Sequence, residues 1–346
     1  MYVLVLTLIV ILSLSNAHLT WYEVFPGEHY WRNFKEQHNK RYDSIEEENY
    51  RFLVFKKNLQ IVSDHNELYK KGLVTYHMKI NKFGDLTDEE FLNNILLPDI
   101  QHEHTLRFNE QNKFLPHDEG DSRLPENVDW RVKKAVTKVK DQKNCAACYA
   151  FSSVAALESQ HFLKTGHLIT LSEQQIIDCT FRKRGFYNRG CNGGNINNTY
   201  KYIISNGGID NDHYYPYIHA RHNRCLYLPK AVGATMQHFE KTRQFNETDL
   251  KAAVAKIGPV SVMIDAAGIR FYSGGLFNNP KCGKKPNHSL LVVGYGTYSK
   301  YDYWLLKNSW GLDWGEDGYI LMSRNKGNQC GIASEAYYPL VTNTNN

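Results

Sequence analysis

The chain has 346 residues, of which 42% are hydrophobic and 22% charged, and a formal net charge of +5. That is an ordinary composition for a soluble globular protein, long enough for more than one domain and a large core. The charge is too mild to argue for nucleic acid, and past the N-terminus no stretch is long and apolar enough to span a bilayer.

Residues 3–14 are almost wholly apolar, and Ser15-Asn16-Ala17 offers small residues at the spacing of a signal-peptidase site. Residues 1–17 therefore read as a secretory signal removed after Ala17. Because no basic residue precedes the apolar run, a short buried helix is the alternative. Entry to the secretory pathway permits disulfides. Seven cysteines follow, Cys145, Cys148, Cys179, Cys191, Cys225, Cys282 and Cys330, all beyond residue 144. An odd number in a secreted chain suggests three bridges and one free thiol.

Residues 21–71 are charged and helix-patterned. Glu47, Arg51, Phe55, Asn58, Val62 and Asn66 recur at spacings of three and four and share one stripe of a long helix, which by itself reads as a surface helix. Residues 75–83 alternate and suggest a strand. Thr87 and Glu90 stand at N-cap and capping-box positions of a further helix. Residues 99–122 are polar and rich in His, Glu and Asn, as in an extended linker, and a boundary falls near Arg123-Leu124-Pro125. Beyond it, helices are predicted over 148–165, closed by Gly166; over 172–179, with Ser172 as N-cap and Gln175 at the capping-box position; and over 197–206, closed by Gly207-Gly208. Strands are predicted at 260–264, 289–295, 303–307 and 319–324. The class is α+β, helical first and β-rich second, with a cleft between the halves.

The most informative segment is Gln142-Lys143-Asn144-Cys145-Ala146-Ala147-Cys148-Tyr149-Ala150-Phe151. A thiol at a helix N-terminus feels unpaired N–H groups and the positive end of the dipole, and both favour thiolate. A thiolate nucleophile needs a base, and the base an orienting partner. Asn287-His288-Ser289 supplies a base candidate 140 residues after Cys148, and Lys307-Asn308-Ser309-Trp310-Gly311 supplies an amide acceptor. Taken singly, Cys148 reads as a buried core thiol, His288 as a strand-edge histidine and Asn308 as a turn residue. Cys145-x-x-Cys148 also has a metal spacing, but no second Cys/His pair at that spacing follows.

Together these segments resemble a papain-like cysteine protease zymogen of the cathepsin L type, from about residue 21 to the C-terminus. The Gln142–Cys148 run, Asn287-His288-Ser289 before Val293-Gly294-Tyr295-Gly296, and Asn308-Ser309-Trp310-Gly311 carry the likeness. So does the stripe from Glu47 to Asn66, with Val62 where Ile is more usual. Asn81, Phe83 and Asp85 match the next pro-segment motif, with Lys79 where glycine is usual. The resemblance implies a papain-like two-domain fold, a helical left domain and a β-barrel-like right domain flanking an active-site cleft, preceded by a helical inhibitory pro-domain. It implies a division into residues 1–17, an inhibitory propeptide over 18–123 and a peptidase domain over 124–346. Cys148 would be the nucleophile, His288 the acid and base and Asn308 its orienter, with Trp310 shielding that bond. Gln142 would serve with the Cys148 N–H as the oxyanion hole. The implied bridges are Cys145–Cys191, Cys179–Cys225 and Cys282–Cys330.

By the same resemblance Gly193 and Gly194 form the edge on which a peptide pairs as an added strand. Ile196, Met263 and Glu335 line the pocket for the second residue before the cleaved bond. That pocket suits Leu, Val or Phe, and also Arg at higher pH if Glu335 is not simply a solvated carboxylate. Lys143, Ala146, Ala147 and Tyr149 depart from the family's commoner residues and bear on rate and selectivity. Three sequons occur, and Asn246 is the most usable, with Asn197 near the pocket and Asn287 beside His288. The implied partners are protein and peptide substrates, the chain's own propeptide and cystatin-type inhibitors. The mature form is expected to be a monomer without metal or cofactor, in the lysosome or outside the cell, and released from inhibition by acid near Arg123-Leu124. Two other readings remain: a weakly active homologue serving as a secreted binding or structural protein, and a pro-region that inhibits proteases on its own.

Overall fold

The computed structural model describes residues 27–97 and 124–341. The signal reading, the linker and the processing position at Arg123 lie outside the described residues. The described residues divide into two compact units, one built of residues 27–63 with Ile80–Leu86, the other of Asp64–Lys79, residues 87–97 and residues 124–341.

In the first unit helix α1 (Gly27–Gln37) precedes the 26-residue helix α2 (Ile45–Lys70). Three acidic residues, Glu46, Glu47 and Glu48, open α2 and Lys70 closes it, as the helix dipole favours. Trp31 and Phe34 of α1 pack on Phe55 of α2. The predicted stripe faces inward here: Asn58 Nδ2 donates to the carbonyls of Gly84 and Leu86, each at 2.9 Å. Asp85 accepts from Lys40 Nζ at 2.8 Å and Tyr42 Oη at 2.9 Å.

The second unit begins with the last turns of α2. Asn66 pairs with both polar groups of Met78, Nδ2 to the carbonyl at 2.9 Å and Oδ1 from the N–H at 2.8 Å. The strand expected over 75–83 is short, β1 (Tyr76–Met78), because beyond it the chain turns at Asn81, whose side chain takes the Phe83 N–H. Helix α3 (Asp88–Asn94) has the full capping box between Thr87 and Glu90.

The part beyond residue 124 has the α+β order read from the sequence. Strand β2 (Val128–Asp129) leads to the central helix α4 (Cys148–Thr165), buried from Cys148 to Gln160 and closed by Gly166 at φ +76°. A helix covered nearly all round is a core helix. Helix α5 (Glu173–Cys179) is capped by Ser172, but Gln175 makes no capping box. Its buried amide is claimed instead by Tyr202 Oη at 3.0 Å and the Asp210 N–H at 2.7 Å. Helix α6 (Ile196–Asn206) is capped by Asn195 and Gly207. With α4 and α5 it encloses one core, including Tyr149, Leu157, Ile176, Tyr200 and Ile203.

Strands β3 (Ile209–Asp210) and β4 (Val232–Ala234) form a separate two-stranded antiparallel ribbon. The second half holds β5 (His238–Lys241), helix α7 (Glu247–Lys256), β6 (Val260–Ile264), β7 (Tyr272–Phe277), β8 (His288–Tyr298), β9 (Tyr301–Lys307), β10 (Tyr319–Ser323) and β11 (Ala336–Leu340). The sheet order is β1-β7-β10-β9-β8-β6-β11-β5, with β2 on β8. Strands β6, β8, β9 and β10 fall where the pattern predicted them. Strands β5, β7 and β11 and helix α7 were not legible. Their polar, Gly-rich or mixed sequences gain strand form from neighbours, as β11 does between β6 and β5. Ser152 Oγ on α4 donates to the Leu290 carbonyl at 2.6 Å, and Ser261 Oγ on β6 to the Ser152 carbonyl at 2.8 Å, so the central helix is pinned to the sheet.

Candidate active site

Cys148 is the first residue of α4, and Ala147 before it offers no side-chain acceptor. The N–H groups of Cys148 and Tyr149 are therefore not consumed by a side-chain cap and remain beside the sulfur. Disulfides join Cys145 to Cys191, Cys179 to Cys225 and Cys282 to Cys330, leaving Cys148 as the free cysteine among the described residues. Cys145 is thus committed to a bridge and does not form a dithiolate with Cys148. Ala146 and Ala147 lie in the core and neither takes a left-handed conformation. Lys143 does, at φ +54°, with its N–H on Asp141 Oδ1 at 2.9 Å.

His288 opens β8. The antiparallel pairing of β8 with β9 sets Leu291 opposite Lys307, so the two chains leave this pair at the same end of the sheet, His288 on one and Trp310 on the other. Their rings stack with centroids 4.5 Å apart. His288 Nε2 lies 2.8 Å from Asn308 Oδ1, which also accepts the Ser309 N–H at 2.8 Å. The other ring nitrogen, Nδ1, is buried without a hydrogen-bond partner. Gln142 is held from three sides: its N–H donates to the Ser309 carbonyl at 2.8 Å, its Oε1 accepts from Ser309 Oγ at 2.7 Å, and its carbonyl accepts from Tyr217 Oη at 2.6 Å.

The Gln142 Nε2 group points at a backbone carbonyl of the segment after α3. It lies 3.2 Å from the Ile95 oxygen and 3.0 Å from that of Cys145. Two residues on, the Leu97 N–H donates to the Asn287 carbonyl at 2.7 Å, and Leu97 is buried in one cluster with Ile196, Met263 and Tyr337. Phe91 of α3 meets the Trp310 ring edge-on at 5.5 Å. The stretch from Phe91 to Leu97 thus covers the site with backbone and apolar side chains.

That cover sets the electrostatics. Burial pushes the Cys148 thiol up to about 11, although N–H groups of Ser289, Tyr149 and Cys148 itself favour the thiolate. Burial pulls His288 down to about 4, only partly opposed by Asn308. In this covered state burial favours the neutral form of both groups.

Gly193 and Gly194, expected at the substrate edge, have distinct constraints. Gly193 stands at φ +105°, and a Cβ on Gly194 would lie 2.6 Å from the Tyr149 ring. Met263 donates its N–H to the Glu335 carbonyl at 3.0 Å, joining two of the residues expected to line the pocket. The Glu335 carboxylate is engaged by Lys241 Nζ at 2.9 Å and Tyr337 Oη at 2.6 Å. Asn246 caps α7, accepting the Asp249 N–H at 2.9 Å, and Asn197 lies in the first turn of α6 with Oδ1 buried and unpartnered.

A buried charge cluster behind the site was missed in the sequence. Lys140 Nζ contacts Glu158 at 3.0 Å and Glu173 at 2.7 Å, and Lys307 Nζ donates to Thr137 Oγ1 at 3.0 Å. Burial lowers Lys307 to about 8, and burial, reinforced by Glu158, holds Glu173 well above the usual carboxylate range against the pull of Lys140. Glu158 within the apolar run of α4 was the available signal, since a lone carboxylate on a buried helix face needs a cation.

Comparison with known proteins agrees with this geometry. The papain family cysteine protease profile matches residues 124–340, and the cathepsin propeptide inhibitor domain matches residues 31–91. The chain is 44% identical over 314 residues to digestive cysteine proteinase 2 of Homarus americanus, covering 90% of this chain and 94% of that one. It is 42% identical to cathepsin L1 of Drosophila melanogaster, covering 97% and 90%. Among solved structures, digestive procathepsin L 3 from the Tenebrio molitor larval midgut matches with a TM-score of 0.81 and 39% identity, over 91% of this chain and 99% of that chain. The recombinant stem bromelain precursor matches at 0.80 and 33%, over 92% and 100%. The chain belongs to the papain family of cysteine proteases and is a cathepsin L-like zymogen that carries its own inhibitory propeptide.

Proposed function

We propose that the protease cleaves peptide bonds with Cys148 as nucleophile, His288 as acid and base, Asn308 as the group orienting His288, and Gln142 as an oxyanion donor. Sγ adds to the substrate carbonyl carbon while His288 carries the thiol proton. The C–N bond breaks as His288 gives that proton to the leaving amine, and a thioester remains on Cys148. Water, deprotonated by His288, then attacks the thioester, releasing the acid and restoring the thiol. Removing an oxyanion donor of the Gln142 type costs about 10²–10³ in rate.

The observation that carries this reading is the Ile95 carbonyl 3.2 Å from Gln142 Nε2: the chain's own backbone occupies the position proposed for the substrate's oxygen. Leu97, buried beside Ile196 and Met263, supports a preference for Leu-like side chains at the second residue before the cleaved bond. Arg is the secondary guest, since Glu335 must first give up Lys241. Gly193 and Gly194 form the edge that pairs with the substrate backbone.

In the same reading residues 1–17 route the chain into the secretory pathway, residues 18–123 inhibit residues 124–346, and acid releases the inhibition near Arg123-Leu124. The lysosome or the extracellular space is the destination, Asn246 is the first glycan acceptor and Asn197 the second, and the mature monomer is open to cystatin-type inhibitors. Incubating the full chain at pH 4–5 and labelling with an irreversible epoxide probe tests it. Shortening of the chain with stoichiometric labelling, both lost in Cys148→Ala, is expected. An unlabelled, full-length product would favour a binding protein instead.

A further inference from the structure

We infer that the loop preceding Gly193 is a cationic extension of the substrate groove that selects acidic residues at the third to fifth positions before the cleaved bond. The inference rests on the groove assignment proposed above. The segment Phe181-Arg182-Lys183-Arg184-Gly185-Phe186-Tyr187-Asn188-Arg189 carries four cations, and no Asp or Glu occurs from residue 179 to residue 209 or from 213 to 239. The disulfide Cys179–Cys225 brings a second basic segment, with Arg221 and Arg224, against the first. Arg221 lies over the Phe181 ring at 4.1 Å, Arg182 over the same ring at 5.4 Å, and Lys183 over Phe186 at 5.6 Å.

Six cations thus lie in these two bridged segments, and among the described residues none of the six is paired with a carboxylate. The carboxylate beneath them, Asp178, is committed to Tyr215 Oη and the His222 ring, each at 2.7 Å. Arg182, Lys183, Arg184, Arg189 and Arg224 are exposed. A surface of one sign beside a cleft concentrates ligands of the other sign.

The loop is wired to the groove. The Arg189 N–H donates to the Gly193 carbonyl at 2.7 Å, the Asn195 N–H to Asn188 Oδ1 at 2.8 Å, and the Ala146 N–H to the Cys191 carbonyl at 2.9 Å. A peptide paired along Gly193 and lodged over Ile196 leaves the groove across these cations. The exposed ring of Tyr187 gives its side chains apolar contact as well, which favours a peptide over a flexible polyanion.

The test uses the full chain after acid processing, at pH 6, where substrate carboxylates are ionised. Two quenched peptides share Leu at the second position before the cleaved bond and carry either three Glu or three Lys at the third to fifth. A short substrate ending at the Leu controls for the groove reading. Three exposed pairs of ordinary strength predict about a tenfold higher kcat/KM for the Glu peptide, shrinking towards unity in 0.5 M salt. Arg182→Glu/Lys183→Glu/Arg184→Glu reverses the order and leaves the short substrate unchanged. Equal kcat/KM for both long peptides in the unaltered chain overturns the inference while the short substrate still verifies the groove. Failure of the short substrate itself would instead overturn the groove reading. If the triple variant keeps the peptide preference but loses retention on a sulfated-polysaccharide column, the occupant is a glycan and the inference is likewise overturned.

Discussion

Exchanging His288 for Gln in a chain whose Cys148 is already Ala isolates the protonation of the site from its chemistry. In the covered state His288 is buried, one ring nitrogen spent on Asn308 and the other unpartnered, with its pKa pulled down to about 4. No thiolate compensates, because burial keeps the Cys148 sulfur protonated. A group whose folded pKa is depressed contributes stability that is complete above its unfolded value and is lost as pH falls through the folded one. For His288 that window runs from the ordinary histidine value near 6.5 down to about 4. At pH 4.5 the loss amounts to about 2.5 kcal/mol relative to neutral pH, close to a seventyfold shift of the equilibrium. Acid therefore weakens the covered state at the residue proposed as the acid and base of catalysis. Denaturant unfolding of Cys148→Ala and Cys148→Ala/His288→Gln at pH 7 and 4.5 reads this directly. The chain retaining His288 is expected to lose about 2.5 kcal/mol more on acidification than the Gln chain. Equal losses in both chains would refute the argument.

Thr87→Ala removes half of the capping box that starts α3, the helix leading to Ile95. At about 1 kcal/mol for a lost cap, acid processing of the full chain should run about fivefold faster by gel densitometry, and an unchanged rate would disconnect α3 from inhibition. Lys307→Met should raise stability at pH 7 by up to about 3 kcal/mol, because Lys307 is charged there against a pKa lowered to about 8 by burial. The gain should fade between pH 8 and pH 10.5 as the lysine loses its proton in both states, and thermal melts at the two ends check the sign. Lys241→Ala removes the ammonium that now lies 2.9 Å from the Glu335 carboxylate. The Arg-to-Leu ratio at the second position before the cleaved bond should then rise about fivefold, the worth of one modest ion pair, and Glu335→Ala in the same chain should abolish the rise.

Local spacing, caps and motifs were enough to read the family, the α+β class and the helix that begins at Cys148 from the amino-acid order. Thr87 with Glu90, and Ser172 with Gln175, read alike in the sequence, yet only the first is a capping box. Gln175 is buried, and buried amides answer to whichever partners the fold brings, here Tyr202 and Asp210. Long-range packing alone set His288 against Trp310 and Asn308 through β8 and β9, brought Lys140 to Glu158 behind the site, and paired Glu335 with Lys241. It also turned the Ile95 carbonyl towards Gln142. The partners in these contacts are far apart in the chain, and no local pattern encodes them, since they follow from strand register and from the desolvation that packing imposes.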